Sequence, residues 1–135
     1  MSTTKILMGY QDYPVWKRFT VDQTKPAVKV TWGFYFDGVV GGQFAEMNIF
    51  VYSADWNTIL ATGYTLHNSG PAGIFEKVDK LYRGSPEINS GDNHSNYGGT
   101  PFEEGQEIIV YFRAAKEIWA GYKFGVAYAK VEMSD

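Results

Sequence analysis

Oxygen-bearing side chains gather in one long polar segment, residues 89–99, which reads NSGDNHSNYGG. Asp92 and Asn93 stand near its centre, among turn-forming residues that offer little apolar surface to bury. Ca²⁺ takes about six to eight oxygen ligands from carboxylates, amides, backbone carbonyls and water, so loops rich in Asp, Asn and Gly can hold it. Long polar loops in compact domains are also commonly functional. The pattern predicts an exposed binding loop over residues 85–101.

A second pair of oxygen-bearing side chains lies in the apolar segment FAEMNIFVYS, residues 44–53. Glu46 and Asn48 are two residues apart, so they share one face if the segment is a strand. Together with the polar loop they could contribute to a cation site. The alternative is that both simply face solvent on one side of a sheet.

Catalytic chemistry has little support in the residue pattern. His67 and His94, the 2 histidines, both stand in Asn/Ser/Gly-rich segments and match no GxSxG or HExxH pattern. Asp92, His94 and Ser95 are too close together in one loop to predict the geometry of a catalytic triad. No Gly-rich phosphate loop follows a strand and opens a helix. The sequence predicts a protein that is not an enzyme and has no catalytic residues.

Aromatic side chains supply a different binding chemistry. A ring can stack on the apolar face of a sugar or anchor at a membrane interface, and aromatic-rich lectins and cytolysins are often sandwiches without cysteine. The alternative function is therefore a module that binds carbohydrate or lipid head groups. For each ring, burial in the core is the competing interpretation. The candidate ligand-binding rings are Trp56, Tyr64, Tyr82, Tyr97 and Trp119.

Composition limits the class of protein. A chain of 135 residues suits one domain, residues 1–135, and a 17% aromatic content with 15 Gly favours sheets joined by turns. The net charge of −3, with scattered basic residues, predicts no nucleic-acid partner, and the absence of Cys excludes disulfides and thiolate chemistry. No segment reads as a signal peptide or a transmembrane helix. We expect a soluble cytoplasmic protein, with signal-independent export as the alternative.

Alternation of apolar residues predicts an all-β fold. Seven or eight strands joined by Gly/Asn/Asp turns favour a sandwich of two mainly antiparallel sheets, with one short Ala-rich helix near residues 113–120. Residues 1–27 contain Pro14 and Pro26, which suit edge strands. A third hypothesis is a homo-oligomer whose edge strands pair with copies of themselves. The predicted strands are 28–36, 44–53, 58–66, 107–112 and 122–133, with 74–82 as strand or irregular structure.

The order of these segments, over about residues 28–131, resembles the TerD-type tellurium-resistance and stress-response domain, a calcium-binding β-sandwich. Gly91-Asp92-Asn93 matches the Gly-Asp-Asn of that family, and Glu46-Met47-Asn48 stands where the family has Asp-Leu-Asp. Trp32-Gly33 reverses the family's Gly-Trp pair, and His67-Asn68 stands at its Asn pair. The resemblance implies Ca²⁺ as cofactor, with a metal ion or small ligand as partner. The implied metal ligands are Glu46, Asn48, Asp92 and Asn93.

Overall fold

A computed structural model of the protein describes residues 15–36, 43–68, 73–84, 89–90, 100–115, 123–124 and 126–135. Within these ranges the chain is all-β and contains no helix. The strands are β1 (Val15–Thr20), β2 (Ala27–Phe36), β3 (Gln43–Ser53), β4 (Ile59–Asn68), β5 (Gly73–Leu81), β6 (Asn89–Ser90), β7 (Glu107–Ala115), β8 (Lys123–Phe124) and β9 (Val126–Ser134).

The described strands form two sheets. The larger sheet has four long antiparallel strands in the order β1-β7-β3-β4, and the short strands β6 and β8 pair in parallel with β4 and β3. The smaller sheet is antiparallel, in the order β5-β2-β9. β3 lies at a central position in the larger sheet, between β7 and β4, as its apolar sequence predicts.

One core lies between the two sheets, which pack face to face as a sandwich. Trp32 of β2 and Phe112 of β7 are both buried, and their ring centroids lie 6.4 Å apart across the interface. Ile49 of β3 and Val131 of β9 are fully buried in the same cluster. Because successive side chains of a strand point to opposite faces, alternate residues such as Val28, Val30 and Trp32 of β2 enter this core.

A carboxylate lies inside this core. Asp79 of β5 is buried and accepts a hydrogen bond of 2.7 Å from the indole Nε1 of Trp32. A buried polar group is costly unless it is hydrogen-bonded, so this contact ties the edge strand β5 to the centre of the core.

The strand predictions at 28–36, 44–53, 58–66 and 107–112 are confirmed, and the ambiguous segment 74–82 is a strand as far as Leu81. Part of the polar segment 85–101 is also strand, because Asn89–Ser90 pairs with β4. Of residues 1–27, β1 lies at the edge of the larger sheet among the described strands, and residues 1–14 lie outside the described part of the chain.

The predicted helix near 113–120 is wrong at its start. Residues 113–115 continue β7 and pair with Glu46–Asn48 of β3, so ladder hydrogen bonds override the helical preference of the alanines. Residues 116–120 lie outside the described part of the chain.

Candidate ligand-binding face

The turn between β3 and β4 is held by a compact set of hydrogen bonds around Asp55. The hydroxyl of Ser53 donates to Asp55 Oδ1 at 2.6 Å, and the backbone N–H of Asn57 donates to the same oxygen at 3.0 Å. The side-chain amide of Asn57 donates to Oδ2 at 3.1 Å. The N–H of Thr58 in turn donates to the Ser53 hydroxyl at 3.1 Å. Asp55 therefore fixes both sides of the turn, as Asp does in Asx turns.

These hydrogen bonds affect the acidity of Asp55. The Ser53 hydroxyl lowers the pKa of the Asp55 carboxyl, and the Asn57 N–H lowers it further, because both donate to the charged form. Asp55 is thus a carboxylate at neutral pH, fixed at the rim of the sheet.

Trp56, at the tip of this turn, adopts an unusual backbone conformation. Its φ is 66°, and it is the single residue other than glycine with positive φ among those the structure describes. A bulky side chain there is strained, and such strain concentrates at functional sites. The N–H of Trp56 donates to the Ser53 carbonyl at 2.9 Å, which closes the turn under it.

The strained turn directs the Trp56 ring over the outer face of the larger sheet. Its centroid lies 5.4 Å from that of Trp16 on β1, 5.2 Å from Tyr52 on β3 and 6.4 Å from Tyr111 on β7. Three strands and one turn therefore converge on a single set of rings. Trp16 is 50% exposed and Trp56 38% exposed, so both remain open to a ligand.

Strand register places further rings beside them. Tyr111 pairs with Trp16 on one side and with Phe50 on the other, and the Phe50 and Tyr111 centroids are 6.2 Å apart. Phe50 and Tyr52 are half-buried and alternate with the core residues of β3. We call this surface the aromatic face; its members are Trp16, Phe50, Tyr52, Trp56 and Tyr111.

Arg18 connects the aromatic face to the turn. Its guanidinium lies 5.8 Å from the Trp16 ring centroid, and its Nη1 donates to the backbone carbonyl of Ala54 at 2.9 Å. A guanidinium over an indole is attracted by the ring quadrupole. Arg18 thus holds Trp16 against the turn and adds a hydrogen-bond donor at the edge of the rings.

The outer face of the smaller sheet is different in character. Lys29 of β2 forms an ion pair with Glu132 of β9 at 3.8 Å, and exposed Lys130 lies opposite Thr31. That surface carries charges and hydroxyls, as a solvated face does. Among the side chains that the structure describes, the exposed rings Trp16 and Trp56 lie over the larger sheet.

The predicted metal residues are only partly placed. Asn48 is half-buried on the outer face of β3, and exposed Arg113 of β7 lies directly opposite it. A cation beside Arg113 would meet like charge, which weighs against a site at that position. Glu46 lies two residues earlier on β3, and Asp92 and Asn93 fall outside the described residues. Within the described part of the chain, no three His, Cys, Asp or Glu residues are grouped as a metal site.

The predicted ligand-binding rings, like the predicted metal ligands, are only partly placed by the structure. Trp56 belongs to the aromatic face, and half-buried Tyr64 pairs with Asn48 on the same side of the sheet. Tyr82 follows β5 and lies apart from that face. Tyr97 and Trp119 fall outside the described residues.

Sequence reasoning missed four members of the aromatic face. Phe50, Tyr52 and Tyr111 alternate with buried residues on their strands, so period-2 spacing does place them on an outer face. What the spacing could not supply was the strand order that brings β7, β3 and β1 together. Trp16 lies in the segment 1–27, for which the sequence predicts edge strands and gives no signal for a ligand-binding ring.

Comparison of the chain with protein families and with curated proteins finds no match. Within the described residues, no helix has the length and apolar character needed to span a membrane.

Proposed function

We propose that the protein is a non-enzymatic carbohydrate-binding module and that the aromatic face is its binding surface. The observation that carries the proposal is Trp56, a strained residue held by hydrogen bonds so that its ring lies beside exposed Trp16. Exposed clusters of aromatic rings with a few convergent polar groups are typical of ligand sites.

The polar groups beside the rings suit sugar hydroxyls. Asp55 supplies carboxylate oxygens, Asn57 an amide and Arg18 a guanidinium, and all three adjoin Trp16 or Trp56. A sugar presents an apolar face for a ring and hydroxyls around its rim, so it can use both kinds of group at once.

Carbohydrate is favoured over a lipid surface by the position of the rings. Phe50, Tyr52 and Tyr111 lie on the flat of a sheet and contact one another, whereas membrane-anchoring rings sit at the water–lipid boundary. The net charge of −3 also disfavours anionic membranes. The same charge disfavours single-stranded nucleic acid, whose bases also stack on rings.

A glycan array tests the proposal. The wild-type protein should bind a restricted set of glycans, and Trp16→Ala or Trp56→Ala should weaken that binding by about 2 kcal/mol, roughly thirtyfold, as truncation of a central aromatic does. Thr31→Ala, on the outer face of the smaller sheet, is the matched control and should bind as the wild type does.

Two further arms separate carbohydrate from the other ring-binding ligands. Sedimentation with phosphatidylcholine and phosphatidylserine vesicles tests the lipid surface, and titration with a single-stranded DNA homopolymer tests nucleic acid. Binding to vesicles or DNA together with silence on the array would overturn the carbohydrate assignment.

A further inference from the structure

Strand β5 lies at one edge of the smaller sheet, and the proposed function does not involve that edge. Among the described strands it pairs only with β2, so within the described residues no strand pairs with the backbone groups of its other edge. Val78, at its middle, points to the outer face and is 50% exposed. An exposed edge strand is a template for pairing with another chain.

The charged residues on either side of Val78 are complementary to those of a second copy of β5 that runs antiparallel to the first. Glu76 and Lys80 lie two residues to either side of it, on the same face of β5. If a second copy adds antiparallel with Val78 opposite Val78, then Glu76 of each copy lies opposite Lys80 of the other. Charges that protect an edge usually repel a second copy, whereas these attract it.

Charged residues on the neighbouring strands β2 and β9 extend this charge complementarity across the sheet. Lys29 of β2 lies directly opposite Lys80, an arrangement of like charges, and Glu132 of β9 pairs with Lys29 at 3.8 Å. Glu76 of a second copy would lie on the far side of Lys80. The row across the joined sheet would then read Glu132, Lys29, Lys80, Glu76, with a carboxylate beside each lysine.

Lys80 can contact Glu76 of a second copy and still keep its hydrogen bond to Asp135. Its Nζ donates to the backbone carbonyl of Asp135 at 2.7 Å. An ammonium group has three donors, so others remain for a carboxylate.

We propose that two copies of this chain associate through antiparallel pairing of their β5 strands about a two-fold axis at Val78. The pairing joins the two smaller sheets into one continuous sheet and covers Val78 with its counterpart. Such an interface is isologous, the commonest kind in homo-oligomers.

Sedimentation equilibrium of the full chain over a range of concentrations tests the proposal. The wild type should be a reversible dimer. Glu76→Lys and Lys80→Glu each place two like-charged pairs in the interface, so each should raise the dimer dissociation constant by roughly tenfold or more. Because exposed Glu76 and half-buried Lys80 are surface residues, both variants should fold, and circular dichroism checks this.

Recombining the charges makes the test specific for this register. An equimolar mixture of Glu76→Lys and Lys80→Glu chains pairs unlike charges again and should form a heterodimer. The double variant E76K/K80E should dimerise like the wild type. A wild type that is monomeric throughout, or single variants that dimerise as tightly as the wild type, would overturn the proposal.

The opposite edge of the same sheet provides the control. Strand β9 carries Lys130 and Glu132 around Val131, but Val131 is fully buried and Glu132 is already paired with Lys29. Lys130→Glu should therefore leave the dimer unchanged. Loss of the dimer in Lys130→Glu, with Glu76→Lys unaffected, would assign the interface to β9 instead.

Discussion

The indole rings of Trp16 and Trp56 meet edge to face, with their centroids 5.4 Å apart and their planes at 82°. One ring comes from the edge strand β1 and the other from the turn after β3. Aromatic pairs in this geometry contribute about 0.5–1.5 kcal/mol beyond the area they bury. The contact therefore fixes both exposed rings of the aromatic face relative to each other.

Replacement of Trp56 should reveal the strain in its backbone. At a φ of 66°, any residue with a Cβ is disfavoured by about 1–2 kcal/mol relative to glycine. We expect Trp56→Gly to be more stable than Trp56→Ala by about 1 kcal/mol in urea denaturation. Thr58, whose φ is not positive, is the control, and there the glycine variant should be the less stable of the two. Equal stability of the two Trp56 variants would show that the turn relaxes.

The acidity of Asp55 should depend on the Ser53 hydroxyl. That hydrogen bond lowers the pKa of the Asp55 carboxyl below its ordinary value of about 3.9. The stability it contributes is therefore fully present above the ordinary value and is lost as the pH falls through the lower, folded-state pKa. Carboxyl-carbon NMR titration should find the pKa depressed in the wild type and raised towards the ordinary value in Ser53→Ala. An unchanged pKa in Ser53→Ala would contradict the geometry of the turn.

Asp79 should be essential to the core although it is a polar residue. Asp79→Ala removes the acceptor of the Trp32 indole N–H, and a buried donor left unsatisfied costs about 1–3 kcal/mol. Chemical denaturation of Asp79→Ala, Trp32→Phe and the double variant measures the coupling between the two. We expect the double variant to be less destabilised than the sum of the singles. Strict additivity would mean that the hydrogen bond contributes nothing.

Ca²⁺ binding stays a prediction from sequence and has its own test. If Asp92 carries a cation site, millimolar Ca²⁺ should raise the wild-type melting temperature, since a ligand of the native state stabilises it. Asp92→Ala should abolish that shift and change the metal-free stability by less than about 0.5 kcal/mol. The absence of any shift in the wild type would end the calcium hypothesis and leave the carbohydrate proposal untouched.

Much of the fold could be predicted because burial repeats with a period of two. In β2, Val28, Val30 and Trp32 alternate with polar residues, and all three are buried. The false helix at 113–115 arose because Ala114-Ala115 has a strong local helical preference. That preference is overridden by pairing with β3, a contact between residues about 70 positions apart that no local pattern records.

The candidate site was less accessible to sequence reasoning. The sequence predicts Trp56 as a turn residue and a candidate ligand-binding ring, yet its neighbours Trp16 and Tyr111 lie 40 and 55 residues away along the chain. Only the strand order β1-β7-β3 brings them together. Positive φ at Trp56 was equally hidden, because it depends on the hydrogen bonds that Asp55 makes.

The most direct measurement of the carbohydrate proposal is an NMR titration of the tryptophan indole N–H signals. Soluble oligosaccharides of cellulose, chitin, xylan and mannan serve as probes, together with any glycan that the array identifies. Buried Trp32 provides an internal reference within the same spectrum. We predict that at least one oligosaccharide shifts the signals of Trp16 and Trp56 together and leaves Trp32 unmoved. Shifts in neither ring with any probe, or shifts that leave Trp16 and Trp56 in place while another tryptophan moves, would contradict the assignment of the aromatic face as the binding site.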